Sequence, residues 1–145
     1  MNNIIISQSR EETLKAGREL ASSLKGGEVI ALYGSLGAGK TVFVKGVIGF
    51  FLQGKRVLSP TFIIVRHYSL HQKTIKEIVH ADIYRLNDLK QIEDVGLSEF
   101  FNKPGIIVLI EWAEKMKGLL PEKRIDVHFR VLSDVKRKIL FKTNG

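Results

Sequence analysis

Eight residues, Gly34-Ser35-Leu36-Gly37-Ala38-Gly39-Lys40-Thr41, follow directly on the apolar run "EVIALY" and constrain the chain more than any other segment. The run is too short for a helix and apolar after its first residue, which predicts a strand buried on both faces of a parallel sheet. Beyond the eight residues, "KTVFVKGVIGFFL" repeats Val44, Val47, Ile48 and Phe51 at helical spacing. The glycines therefore lie between a strand and a helix. Two glycines five apart, then lysine and a hydroxyl residue, form a phosphate cradle for a physical reason. Glycine lets the backbone bend around an anion, so that successive amides point inward, and the helix aims its positive end at the same place. Lys40 is placed to reach the β- and γ-phosphates of a nucleotide, and the Thr41 hydroxyl to ligate magnesium. Adenine and guanine nucleotides fit this pattern alike.

The remaining chain sets the fold class. "IIIS" predicts a short strand, followed by a helix in "SREETLKAGRELASSLKGG" that Ser9 caps, with Glu12 three residues on and Gly26-Gly27 as the stop. Its apolar face holds Leu14, Gly17, Leu20, Ala21 and Leu24. "FIIVRHYSL" (Phe62 to Leu70) and "IKEIVHADIY" (Ile75 to Tyr84) predict two strands joined by a hairpin loop, and a polar helix is expected from about Asn87 to Phe101. "IIVLIEW" (Ile106 to Trp112) is a second wholly apolar strand, and "RIDVHFRV" with "VKRKILFKT" predicts a closing hairpin. Interleaved strands and helices predict an α/β sandwich, with a largely parallel central sheet and antiparallel additions. At 145 residues the chain is expected to form a single domain, 1–145.

Composition removes several function classes. There is no cysteine, which excludes disulfides and thiolate-held metal centres. No apolar run is long enough for a membrane span and the amino terminus has no basic leader, so a cytoplasmic, membrane-free protein is expected. The net charge of +8 invites a nucleic-acid reading. Its densest basic cluster, Val135 to Lys142, interleaves basic and apolar residues as a strand with one wet face does, and that reading is preferred.

A phosphate cradle needs an acid nearby, because magnesium bridging the phosphates takes oxygen ligands. Glu111, ending the run from Ile106, is the first candidate. Asp82, ending "EIVHAD", is the second, and His80 projects to the same strand face. His67 and His71 read as solvated hairpin residues, since zinc needs three or four converging ligands. Trp112 either packs in the core or borders the site. "SPTF" (Ser59 to Phe62) presents two hydroxyls on a proline-fixed turn and reads either as a plain turn or as a loop that senses the γ-phosphate.

Taken together, "LYGSLGAGKTVFVKG", "SPTF", "HADIYRL" and "IEW" closely resemble the TsaE family, also called YjeE: small bacterial P-loop ATPases required for threonylcarbamoyladenosine modification at adenosine 37 of tRNAs reading codons that begin with adenine. The resemblance covers nearly the whole chain. It implies ATP or ADP with Mg2+ as cofactors. Nucleotide contacts are implied at Thr13, at Gly34 through Thr41, at Thr61 in a switch-like loop and at Trp112. Thr41 and Glu111 are implied at the metal, and Lys40, Asp82 and Glu111 in hydrolysis. The implied partners are the transferase subunits TsaD and TsaB, with tRNA met indirectly or within that complex. Ala81 and Ala113 stand where leucine and proline are common, and neither change removes a polar group. No arginine is an obvious charge-stabilising finger, so slow hydrolysis alone and faster hydrolysis with partners is expected. The rival readings are a small-molecule kinase, for which no arginine-rich lid segment is evident, and a nucleic-acid binder.

Overall fold

The computed structural model describes residues 2–53 and 64–145. Strand β1 (Asn2–Ser7) leads into helix α1 (Arg10–Ser23), β2 (Val29–Tyr33) into α2 (Lys40–Phe51), and β3 (Val65–Ser69) pairs with β4 (Glu77–Asp82). Helix α3 (Leu89–Asp94), β5 (Ile106–Glu111), β6 (Arg124–Val131) and β7 (Arg137–Asn144) complete the order. The seven strands among the described residues join one sheet, ordered β1-β7-β6-β2-β5-β4-β3. Its centre, β6-β2-β5-β4, is parallel. The additions are antiparallel: β7 against β6 and β1 on one side, β3 against β4 on the other. This is the mixed α/β architecture expected. "SPTF", with Thr61, lies outside the described residues, as does the expected start of β3 at Phe62. No helix among the described residues is long and apolar enough to cross a membrane.

The apolar runs alternate between two cores. Ile30, Leu32, Ile78, Ile107 and Leu109 pack with Phe43, Val44, Val47 and Ile48 of α2 on one face. Val29, Ala31, Val79, Val108 and Ile110 pack with Ile92, Leu97, Ala113 and Met116 on the other. Burial on both faces is why these strands read as continuous apolar sequence.

Helix α1 begins as expected. The Glu12 amide donates to the Ser9 side chain at 3.1 Å, and the Gln8 amide donates back to the Glu12 carboxylate. The helix then crosses α2 with backbones in contact, because both helices carry glycine at the crossing. A Cβ on Gly17 would stand 2.2 Å from the Phe43 carbonyl oxygen, and one on Gly46 would stand 2.2 Å from the Leu14 carbonyl oxygen. Alanine at Gly46 gains about 1 kcal/mol of helix propensity. Overpacking against fixed backbone costs about 1–3 kcal/mol and has no flexible side chain to relieve it here. Gly46→Ala is therefore expected to lower the melting temperature, by up to roughly 8 °C; a variant that melts higher than wild type would show that the helices can separate freely.

The expected helix from Asn87 to Phe101 is instead two pieces. Asp88 caps α3 by accepting from the Gln91 amide at 2.8 Å, and the chain turns at Gly96, with φ 80°, into a 3-10 turn at Leu97–Phe100. The reason is burial. Ile92 and Leu97 are both packed under the second face, whereas an unbroken helix would point residues five apart in directions about 140° apart.

Candidate nucleotide site

The loop 34–39 leaves the C-terminal end of β2, and the strand register brings both acids to the same end of the sheet. Glu111 lies opposite Leu32 on one side and Asp82 on the other. Ligands of open α/β sheets bind at this edge. Both acids share the face that α2 covers, since Ile78 and Ile107 on the same alternation belong to its core.

Two glycines have conformations that a side chain would oppose. Gly34 has φ 146°, and a Cβ there would come within 2.8 Å of the Phe129 carbonyl oxygen. Gly39 has φ 104° at the start of α2 and supplies no capping side chain. The amino end of α2 therefore opens toward the loop with its dipole uncapped by protein side chains.

Lys40 is only 5% exposed. Its ammonium donates to the carbonyls of Gly34 and of Ser35, the latter at 3.0 Å, and lies 4.0 Å from the centre of the Trp112 ring. Burial pushes its pKa down, against the opposing pull of Glu114, Glu111 and Asp82. Glu114 also accepts the Gly34 amide at 3.2 Å. Trp112 reaches this position through a left-handed backbone, φ 66°, which a bulky residue rarely adopts. That turn ends β5 just past Glu111 and swings the indole over Lys40, with Tyr84 packed against it at 4.9 Å. The two readings left open for Trp112 are thus both partly met: it packs against the second core and borders the cavity.

Thr41 donates its hydroxyl to Glu111 Oε1 at 2.7 Å. Glu111 Oε2 lies 2.6 Å from His80 Nε2, and both residues are 1% exposed. Asp82 accepts the Tyr84 amide at 3.0 Å, and burial raises its pKa above the ordinary carboxylate value. Thr41, Asp82 and Glu111 border one cavity of about 510 Å³, together with Leu36 to Lys40, Thr13 and Trp112. The Thr13 hydroxyl is shared with Ser7 at 2.7 Å. Gly34 and Ser35 are not part of the wall. Their carbonyls hold Lys40 from behind it.

The donor set suits magnesium. A hard divalent ion takes oxygen ligands, and magnesium characteristically uses one or two protein oxygens and completes its shell with water and phosphate. The Thr41 hydroxyl and the Glu111 carboxylate offer that chemistry at the cavity wall. No cluster of three or more acidic or histidine side chains placed to hold an ion occurs among the described residues.

Arginine is where the sequence reading is incomplete. Arg10, Arg85 and Arg137 all line the cavity. Arg137 belongs to the basic cluster read as a wet strand face, yet its Nη2 donates to the Gly37 carbonyl at 3.2 Å and its Nη1 to the Ser133 carbonyl at 2.8 Å. Only the pairing of β7 beside β6 brings that end of the hairpin to the loop, so no local pattern marks it.

Residues 7–139 match the family model described as threonylcarbamoyl adenosine biosynthesis protein TsaE. The chain is similar to the tRNA threonylcarbamoyladenosine biosynthesis protein TsaE of Rickettsia felis, with 38% identity over 143 residues, covering 98% of this chain and 81% of that one. Its counterpart in Bacillus subtilis is 36% identical over 135 residues, 93% of this chain and 82% of the relative. The crystal structure of Bacillus subtilis YdiB superposes with a TM-score of 0.80 at 29% identity, covering all of this chain and 87% of that one. With a family match running almost from end to end, and relatives this similar over nearly its full length, the chain belongs to the TsaE family.

Proposed function

We propose that this chain is a magnesium-dependent ATPase required to form the threonylcarbamoyl group on adenosine 37 of tRNAs that read codons beginning with adenine. It works as a single domain in the cytoplasm, hydrolysing ATP in complex with the TsaD–TsaB transferase to support repeated turnover. The observation that carries the reading is the meeting of Thr41, at the first turn of α2, with the buried carboxylate of Glu111 at 2.7 Å on the wall of a cavity that the glycine loop also borders.

In this mechanism the loop from Leu36 to Gly39 and the amino end of α2 bind the phosphates, Gly34 and Ser35 shape the loop and hold Lys40, and Lys40 neutralises charge on the β- and γ-oxygens. Thr41 and Glu111 would hold magnesium, and the ion would supply neutralisation of negative charge on the phosphate oxygens. Asp82 orients the attacking water, while Thr13, Thr61 and Trp112 contact the nucleotide. Water displaces ADP from the γ-phosphorus with no covalent intermediate, so the protein's part is positioning and charge stabilisation. The guanidinium of Arg137 is engaged by loop and hairpin carbonyls, which is consistent with slow hydrolysis by the chain alone.

ATP turnover measured with and without TsaD–TsaB tests the reading. At least about a tenfold stimulation is expected, a small part of the roughly 10³–10⁵-fold that a charge-stabilising group supplied in trans can provide. Equal turnover in the two conditions would remove the partner from the mechanism, and phosphate transfer to an acceptor other than water would favour a kinase.

A further inference from the structure

We infer that His80 is a positioning residue that holds the Glu111 carboxylate in register with Thr41; this rests on the reading of Thr41 and Glu111 as the magnesium site. Glu111 is the last residue of β5, where a side chain has no following strand residue to pack against it. It is nonetheless 1% exposed, and each of its oxygens has a separate partner: Oε1 receives the Thr41 hydroxyl at 2.7 Å, and Oε2 meets His80 Nε2 at 2.6 Å. The two partners come from different elements, α2 and β4. His80 reaches Glu111 diagonally, because it pairs in register with Leu109, two residues earlier on the same face.

The tautomer follows from the surroundings of the ring. His80 Nδ1 is buried and makes no hydrogen bond among the described residues. A proton there would be a buried donor without an acceptor, whereas a proton on Nε2 turns the 2.6 Å contact into a charge-assisted hydrogen bond to Glu111. His80 therefore donates through Nε2. Oε2 is committed to that bond, which leaves Oε1 as the oxygen presented beside the Thr41 hydroxyl at the cavity. Removing the donor frees the carboxylate to rotate about its side-chain torsions, and the oxygen pair at the cavity wall loses its fixed geometry. Asp82, two residues beyond His80 on the same face, accepts a backbone amide from Tyr84 and supplies no such donor.

Partners of this kind behind a metal ligand typically change metal affinity or activity by about 10–100-fold when removed. The test is equilibrium binding of a fluorescent ADP analogue, titrated with magnesium, for the wild type and for His80→Leu, His80→Gln and His80→Asn, with a melting curve for each. The glutamine amide can stand where Nε2 does, while the asparagine amide imitates Nδ1. His80→Leu and His80→Asn are expected to raise the magnesium midpoint by about tenfold or more, while His80→Gln stays within about threefold of wild type. Analogue binding in excess EDTA is expected to be the same in all four. A role in packing alone would move the melting curves and leave the midpoints together. Folded His80→Leu with a wild-type midpoint overturns the inference; if His80→Leu does not fold, equal midpoints for His80→Gln and His80→Asn overturn it. Wild-type binding indifferent to magnesium would instead remove the magnesium site itself, and this inference with it.

Discussion

Replacing Lys40 by alanine is expected to lower partner-stimulated ATP turnover by about 10²–10³-fold, the loss that follows removal of one preorganised charge-stabilising donor. Lys40 opens α2, is almost fully buried and has its ammonium between the carbonyls of Gly34 and Ser35 and the face of Trp112. A cation so enclosed is poorly solvated, which is the cause of its lowered pKa and makes its attraction for a phosphate oxygen stronger than in water. Arginine at this position is expected to fail nearly as badly. Its planar fork cannot fit between the loop carbonyls as a compact ammonium does. Turnover by Lys40→Ala within a few-fold of wild type would defeat the central reading of the site.

Asp82→Asn is expected to separate stability from activity. Burial raises the folded-state pKa of Asp82, so between its ordinary value and the raised one the folded chain binds more protons than the unfolded chain. The stability linked to this group is full in acid and is lost as pH rises through the folded-state value. At neutral pH the charged carboxylate therefore opposes folding. Asparagine removes that charge while its amide oxygen can still accept the Tyr84 amide. Without nucleotide or magnesium the variant is expected to melt higher than wild type at pH 7, with the difference closing on acidification. Turnover is expected to fall by about 10²–10⁴-fold, as for loss of a group that orients and polarises water. A variant that melts lower at pH 7 than at acid pH relative to wild type contradicts the stability argument; one that keeps full turnover contradicts the catalytic one.

Much of this molecule is legible before any coordinates. Burial on both faces leaves its mark as unbroken apolar runs at Val29–Tyr33 and Ile106–Ile110, and the antiparallel strands β6 and β7 carry the alternation of a half-wet surface. The cap at Ser9 and the glycine loop are equally local signals. The polar stretch after Asn87 misled because its charges permit a helix throughout, while the break at Gly96 answers to where Ile92 and Leu97 must be buried.

For the site, sequence by itself determined the loop, the Lys40–Thr41 pair and the two strand-ending acids, because phosphate and magnesium binding require particular residue types at fixed local spacing. Tertiary structure brings Glu111, the acid that the family resemblance pairs with Thr41, to that hydroxyl, and it alone decided that His80 stands behind the carboxylate and that Arg137, about a hundred residues from Gly37, reaches the loop. The contacts of Glu111 and His80 depend on register across β4, β5 and β2, where a shift of one residue would turn either side chain to the opposite face, and Arg137 reaches the loop through the pairing of β7 with β6 and of β6 with β2.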